Sequence, residues 1–457
     1  MKLSINHNLF YAMLIVLFLS CNQDPIFHAI SQEVKPRDPR IPGIPTSMAL
    51  FYRMYPAGTV NRIPVLYVAS GRINWYAAPD DPGSFDTSWT AEKGEKWWNK
   101  DKGKTALPGG KIVGLAATNE YLYALYHKKI LKRIKWDSAA NEQWKEIPID
   151  SGDVNTSGII SFDTIFSSNN RIFIGARTEQ KKDAIPYSVL YVDEDANPAN
   201  DTIKSIKSDT YLLEGVAYNG LNHFLCLSDK FGTGGSIFAL DDDFFLTGDL
   251  LSNWTELKDS DESKTSKIQF KGIISMEDDA SGVNHTILAM DRSGAIYTID
   301  AAAKKFTAST VKKMGLFTGA LALWRDPEDP GWELWDPADA LTMPKPKLLL
   351  AGYQGSNTLT TSSYTNGYYE LDLVWESGIL DIDAADFHQP GKKGINDKTT
   401  VDNTERYLST IGKYPVNNLY QTPRIIDKKM ILFASTNNAG LWSYRERDNI
   451  FQWNAEE

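Results

Sequence analysis

Short apolar runs bounded by turn-forming residues recur along the chain after residue 45. Many come in pairs, such as VLYVASGRINWYA from Val65, TILAMDRSGAIYTID from Thr286 and ILFASTNNAGLWSY from Ile431. Apolar runs of strand length separated by Gly, Asn and Asp are typical of β-hairpins. No long run with the period of a helix occurs in this part of the sequence. The pattern therefore predicts an all-β protein built from short antiparallel strands.

The hairpin recurs seven times, and other strands accompany it. An apolar stretch precedes each copy, and a fourth strand follows most copies, often with a tryptophan: Trp89, Trp144, Trp254, Trp375 and Trp453. Repeated units of four antiparallel strands are the plan of a β-propeller, in which each blade covers the faces of its neighbours. We therefore predict a propeller over residues 46–457 with seven four-stranded blades, within a range of six to eight. Two unrelated β-sandwiches are the alternative.

Side-chain size along the repeat agrees with this plan. Small residues recur at strand positions that would be crowded inside or between blades: Ala69, Gly175, Ala239, Gly352 and Ala434. The fourth-strand tryptophans would supply apolar area between blades near the rim.

Two insertions interrupt the repeat, near 324–347 and 379–416. Loops of a propeller vary while its strands carry the fold, so function could lie in them. Aromatic side chains beside acids suit recognition of protein or sugar. The candidate ligand-binding or partner-binding residues are Trp332, Trp335, Tyr353, Tyr364, Tyr368 and Tyr369. The alternative for Trp332 and Trp335 is that they only pin a long loop to the ring.

The chain begins with the pattern of a signal peptide over residues 1–20. Leu9 to Leu19 is an uncharged apolar run of 11 residues, which suits a secretory signal and is too short to span a membrane. It ends in Phe18, Leu19, Ser20 and Cys21. This segment resembles the lipobox of bacterial lipoproteins, in a looser form similar to that of spirochaetes.

The resemblance implies that the chain is cut before Cys21, which then carries diacylglycerol on its sulfur and an acyl chain on its amino group. Such a protein would incorporate radiolabelled palmitate. Several acyl chains give stable anchoring where one is marginal. Residues 21–45 contain five prolines and no periodic apolar face, so they predict a tether. Asn22 after the cysteine implies the outer membrane by resemblance to enterobacterial sorting. The alternative is an ordinary signal peptide with a chance cysteine.

The net charge and the number of cysteines exclude some classes of protein. The net charge is −10 and the isoelectric point is about 5.3, so the chain lacks the basic footprint of a nucleic-acid-binding protein. With only Cys21 and Cys226, a disulfide scaffold is excluded. Cys226 lies in the apolar run HFLCLSD, which predicts a buried structural thiol.

No catalytic motif is recognisable. Acidic residues cluster at Asp241–Asp243, Glu277–Asp279 and Asp259–Glu262. Such clusters could bind calcium or cleave glycosides, but none has the spacing of an EF-hand, and we expect solvated turns. The histidines are scattered without a zinc motif. We therefore expect no metal site and no cofactor besides the lipid on Cys21.

The sequence favours a lipid-anchored, non-enzymatic propeller that binds a protein partner in the bacterial cell envelope, with its periplasmic or surface orientation open. By architecture it resembles the propeller lipoprotein of the outer-membrane assembly machinery. Its last unit resembles blades of Asp-box propellers, although the full Asp-box motif is absent. Two alternatives remain: a propeller that binds or cleaves glycans in its central funnel, and a surface adhesin.

Overall fold

The computed structural model describes most of the repeat region. The described residues are 41, 47–54, 62–70, 73–77, 90–91, 112–135, 144–153, 156, 158–179, 187–194, 198–209, 211–228, 234–248, 253–261, 268–277, 285–312, 316–326, 329, 344–353, 367–376, 379–388, 411, 414–422, 431–436, 440–447 and 450–456. The predicted signal peptide and all of the predicted tether except Ile41 lie outside these residues.

The described strands form seven sheets, and we call these blades 1 to 7 in chain order. Blade 1 consists of β1 (Ser47–Met54), β2 (Arg62–Ala69), β3 (Ile73–Ala77) and β4 (Thr90–Ala91). Blade 2 consists of β5 (Ile112–Ala117), β6 (Leu122–Tyr126), β7 (Ile130–Ile134) and β8 (Lys145–Ile147). Blade 3 consists of β9 (Ile159–Ser168), β10 (Arg171–Thr178), β11 (Tyr187–Asp193) and β12 (Thr202–Asp209). Blade 4 consists of β13 (Leu212–Tyr218), β14 (Asn222–Ser228), β15 (Gly235–Asp241) and β16 (Trp254–Glu256), with the short helix α1 (Phe244–Thr247) between its last two strands.

Blade 5 carries an extra outer strand. It consists of β17 (Lys258–Asp259), β18 (Phe270–Glu277), β19 (His285–Asp291), β20 (Ala295–Asp300) and β21 (Lys305–Lys312), and β17 pairs in parallel with β21. Blade 6 consists of β22 (Leu316–Trp324), β23 (Lys347–Tyr353), β24 (Tyr368–Glu376) and β25 (Ile379–His388). Blade 7 consists of β26 (Val416–Gln421), β27 (Leu432–Thr436), β28 (Leu441–Arg447) and β29 (Ile450–Ala455). The prediction of an all-β propeller with four-stranded blades is confirmed.

The first strand of every blade faces a common central channel. Residues from β1, β5, β9, β13, β18, β22 and β26 all line this cavity. The ends of these strands meet on one side of the ring: the backbone N–H of Asn119, after β5, donates to Oδ1 of Asn170, after β9, at 2.6 Å. Likewise the backbone N–H of Arg325, after β22, donates to Oε1 of Gln421 in β26 at 2.8 Å. We call the side where the first strands end the upper face, and the side where they begin the lower face.

Apolar packing between neighbouring blades holds the ring together. The described residues form seven apolar clusters, and each cluster joins two adjacent blades. Tryptophans predicted to pack between blades do so: Trp144 joins blades 1 and 2, Trp254 joins blades 3 and 4, and Trp453 joins blades 6 and 7. Trp89 lies outside the described residues.

The ring closes between blades 7 and 1 without a shared strand. Each sheet is made of strands consecutive in sequence, so closure depends on side-chain packing. The closing cluster contains Phe433 and Leu441 from blade 7, Met48 from blade 1, and Ile41, which is fully buried although it precedes the first strand. Ile41 therefore takes part in closing the ring.

Glycines let successive first strands approach each other closely. A Cβ on Gly114 in β5 would lie 2.4 Å from Cγ2 of Ile165 in β9, and one on Gly215 in β13 would lie 2.9 Å from Cγ2 of Ile273 in β18. Both glycines lie at register shifts of their strands. A side chain at either position would push the neighbouring blade away, since close-packed interiors do not absorb added volume.

Blade 6 corrects the predicted strand assignment. Trp375 was predicted to lie in a fourth strand, but it lies in the third strand, β24, and only residues 377–378 separate that strand from β25. Ile379–His388, the first part of the predicted insertion 379–416, is thus the fourth strand of the blade. In blade 7, VNNLYQ from Val416 forms the first strand. Within the described residues, no helix has the length and apolar character needed to cross a membrane.

Candidate functional site

Exposed apolar side chains gather on the upper face. Five large apolar side chains are exposed among the described residues, and four of them lie at or near upper strand ends: Tyr52, Leu221, Leu246 and Ile379. Leu221 follows β13 and is 72% exposed, and Leu246 in α1 is 83% exposed. The fifth, Ile160, is the second residue of β9 and lies on the lower side. The upper face therefore differs in character from the lower face.

The central channel has a volume of about 530 Å³, and two acidic side chains, Asp163 and Glu214, line it. Oδ2 of Asp163 lies 2.7 Å from Nη2 of Arg177, and Oε1 of Glu214 lies 2.6 Å from Nζ of Lys271. Each carboxylate therefore already has a cationic partner. The described lining of the channel contains no acidic side chain without such a partner.

A buried histidine network joins blades 3 and 4 beneath the upper face. The imidazole of His223 in β14 is fully buried. Its Nε2 lies 2.8 Å from Oδ1 of Asp242, and its Nδ1 lies 3.3 Å from Oγ of Ser168. Tyr218 donates to Oδ2 of Asp242 at 2.9 Å, and Asn169 donates to the same oxygen at 3.2 Å. One carboxylate thus organises side chains from both blades.

Burial sets the protonation of this network. Desolvation lowers the pKa of His223 to about 4, with a further lowering by the charge of Arg171, and it outweighs the opposing effect of Asp242. Burial, helped by the hydrogen bond and charge of Asp242, raises the pKa of Tyr218 to about 12. At neutral pH the imidazole is therefore neutral. It can donate from Nε2 to Asp242 and accept at Nδ1 from the hydroxyl of Ser168.

A second polar contact joins blades 2 and 3. The guanidinium of Arg133 in β7 forms a buried ion pair with Asp201 and donates to the carbonyl oxygen of Pro198 at 2.9 Å. Tyr123 donates to Oε1 of Glu194 at 2.8 Å, and burial raises its pKa. These contacts fix the connection between β11 and β12 to the neighbouring blade, since breaking a buried pair leaves an uncompensated charge.

The acidic clusters mostly close their own turns. Oδ1 of Asp241 accepts the backbone N–H of Asp243 at 3.0 Å, and Oδ1 of Asp259 accepts that of Asp261 at 2.9 Å. Among the described residues, no group of three or more His, Cys, Asp or Glu is placed to hold a metal ion. Asp278, Asp279 and Glu262 lie outside the described residues.

The residues predicted to bind a ligand are spread over the fold. Tyr368 is fully buried at the start of β24, where its ring centroid lies 5.6 Å from that of Trp453, so its side chain belongs to the packing between blades 6 and 7. Tyr369 beside it is half-buried, and Tyr353 ends β23. Trp332, Trp335 and Tyr364 lie outside the described residues, as does Cys21. Their binding roles stay predictions. Cys226 is buried, as predicted, and burial raises the pKa of its thiol.

Local sequence patterns do not reveal the upper-face groups. Ser168, His223 and Asp242 are separated by 55 and 19 positions and meet only through the packing of blades 3 and 4. Leu221 is a single apolar residue in the polar turn NGLN, and Leu246 ends the short apolar run FFL in the connection between β15 and β16. Their place between strands was the available signal, because an apolar residue in a turn has no pleated face to join.

Comparison with known proteins does not assign a family. No family model matches the chain, and no curated protein matches its sequence. Among solved structures, the chain is similar to Sqt1 of Saccharomyces cerevisiae (TM-score 0.47, 11% identity, covering 91% of this chain and 86% of that one). It is also similar to YCF48 bound to D1 peptide (0.46, 10%, 91% and 96%) and to a chain of the mitotic checkpoint complex (0.44, 11%, 84% and 87%). Similarity at this level carries no argument about function.

The histidine network predicts a specific loss of stability in mild acid. The folded-state pKa of His223 lies below the unfolded value of 6.5, so the unfolded chain binds the proton first and stability falls as the pH drops from 6.5 toward 4. Between pH 7 and pH 5 this group should cost roughly 2 kcal/mol. Denaturant unfolding at both pH values should show that cost in the parent protein and lose it in His223→Gln, while the exposed-site control His127→Gln should retain it.

Nuclear magnetic resonance provides a second readout if His223→Gln unfolds. The imidazole signal of His223 in the parent protein should show no protonation above about pH 5. Titration of that signal near pH 6.5 would contradict the buried, neutral assignment.

Proposed function

We propose that this chain is a bacterial lipoprotein, anchored through Cys21, whose propeller is a non-enzymatic platform that binds a protein partner at the cell envelope. The observation that carries partner binding is the upper face, which bears four of the five exposed large apolar side chains among the described residues. Apolar groups gathered on one face of a soluble domain are typical of interaction surfaces. The outer membrane is the favoured location, because Asn22 follows the cysteine.

The path of the chain supports an orientation for this platform. β1 begins on the lower face, and Ile41 packs in the closing cluster just before it. The 20 residues from Cys21 to Ile41 (41 − 21) would span at most about 70 Å when extended. Because Ile41 packs beside Met48 at the start of β1, the tether would join the ring on its lower side.

The alternatives are distinguishable. Glycan cleavage loses support from the channel, where both described lining acids pair with a cation. A surface adhesin would use the same ring and anchor but would face outward. Protease treatment of intact cells separates the two orientations, because only a surface-exposed ring would be degraded without permeabilising the outer membrane.

The anchor predicts opposite behaviour for the two cysteines. Cys21→Ala should abolish incorporation of radiolabelled palmitate and move the protein from the detergent phase to the aqueous phase, since the acyl chains supply the membrane affinity. Cys226→Ala is the matched control, because its thiol is buried in blade 4, and it should keep both the label and the detergent partitioning. Unchanged partitioning of Cys21→Ala would contradict the anchor.

The platform predicts that only upper-face apolar residues matter for partner capture. A photo-crosslinking residue placed next to Leu246 should form a defined adduct in cells, and Leu246→Asp or Leu221→Asp should reduce its yield about tenfold, because a charge in an apolar contact is costly. Ile160→Asp changes an exposed apolar residue of the lower side and should leave the yield unchanged. Equal loss in all three variants, at unchanged melting temperature, would count against an upper-face platform.

A further inference from the structure

A small pocket opens on the upper face between blades 1, 2 and 3, apart from the channel acids and the exposed leucines of blade 4. It holds about 280 Å³ and is lined by the upper ends of β1, β5 and β9 and by the turns that follow β5 and β9. This volume is near the lower end of the range for small-molecule sites. The pocket is thus suited to a small ligand or to the end of a larger one.

The pocket wall is polar but uncharged. None of the described side chains that line it is acidic or basic, and its polar groups are the amides of Asn119, Asn169 and Asn170 with the hydroxyls of Ser167, Ser168 and Thr118. The protein as a whole carries a net charge of −10. A charged ligand would find no neutralising partner in the wall, so the lining favours a neutral ligand.

Two amides of the wall are held in place by their own hydrogen bonds. Asn169 and Asn170 form the turn between β9 and β10 with φ values of 44° and 59°, as in the tight turns that favour Asn. Oδ1 of Asn170 accepts the backbone N–H of Asn119, and Nδ2 of Asn169 donates to Asp242. Nδ2 of Asn170 is then left as a donor and Oδ1 of Asn169 as an acceptor.

This pair of groups matches the hydrogen bonding of an alcohol. A hydroxyl both donates and accepts, so a ligand with several hydroxyls can donate to Oδ1 of Asn169 and accept from Nδ2 of Asn170. Because the amides are already ordered, binding costs little further side-chain entropy.

An aromatic ring completes the wall. Tyr52 lines the pocket at the upper end of β1 and is 47% exposed. Its ring contacts that of Phe51 edge-on, with centroids 6.1 Å apart. A half-exposed aromatic face beside amides and hydroxyls offers both apolar area for C–H groups and polar partners for hydroxyls.

We propose that this pocket is a binding site for a neutral saccharide, with Tyr52 stacking on a sugar ring and the Asn169–Asn170 turn binding its hydroxyls. The site differs from the channel, where a glycan was considered from the sequence, and it needs no catalytic residue. It also does not depend on the lipid anchor or on a protein partner.

Calorimetric titration of the purified full chain in detergent tests the site. The probes are cellobiose, maltotriose, lactose and chitobiose, with sialyllactose as the charged comparison and an uncharged extended hexapeptide as the comparison for protein ligands. At least one neutral saccharide should bind, and sialyllactose should bind no more tightly than lactose. Binding of the hexapeptide alone, or of no probe, would overturn the proposal.

Variants then locate the site. Tyr52→Ala should weaken binding about tenfold, and Tyr52→Phe, which keeps the ring, should stay within about threefold. Asn170→Gly removes the amide but tolerates the positive φ, so it should fold and also bind about tenfold more weakly. Ile160→Ala changes an exposed apolar residue outside the pocket and should leave saccharide binding unchanged. Saccharide binding that survives Tyr52→Ala combined with Asn170→Gly would overturn the assignment.

Discussion

The structure depends on apolar packing between the faces of neighbouring blades. A single four-stranded sheet leaves its faces in water, and each buried Leu, Ile, Val or Phe side chain contributes about 1.5–3 kcal/mol relative to exposure. Seven clusters in the described residues, one at each junction, supply this burial around the whole ring. No described strand crosses from one blade to another, so the junction between blades 7 and 1 must close by the same packing, with Ile41 adding to it.

Closure of the ring gives its two faces different roles. Ile41 packs beside Met48 near the lower face, whereas Tyr52, Leu221 and Leu246 are exposed at the upper face. Beneath the upper face, His223 and Asp242 join blades 3 and 4, and Arg133 and Asp201 join blades 2 and 3. Buried polar contacts of this kind fix the relative position of the blades. A rigid ring can therefore present groups from several blades as one surface.

The sequence allowed the fold to be predicted because each hairpin is a local pattern. Alternating apolar runs and turn residues identified the strands, and the tryptophans marked the junctions correctly at Trp144, Trp254 and Trp453. The prediction for blade 6 is wrong because Trp375 lies in the third strand, and only residues 377–378 separate this strand from the fourth. Glycines recur in the first-strand segments KIVGLAAT, EGVAYNG and KGIISME, and Gly114 and Gly215 mark where the next blade approaches.

The binding groups were harder to predict because they meet only in three dimensions. The pocket of Tyr52, Asn119 and Asn170 draws on three blades, and the neutral imidazole of His223 follows from burial that no local pattern reveals. Of the tyrosines chosen from the sequence, Tyr368 lies in the core. Composition alone could not separate it from an exposed aromatic residue.

Hydrogen exchange on a Phe433→Ala variant tests the closed ring most directly. Phe433 lies in blade 7 and packs in the closing cluster with Met48, Leu66 and Val68 of blade 1, far away in sequence. If the ring closes as described, the cavity should speed amide exchange in β1 and β2 as well as in β27, relative to the parent protein. Faster exchange confined to blade 7, with β1 and β2 unchanged, would contradict the closed propeller.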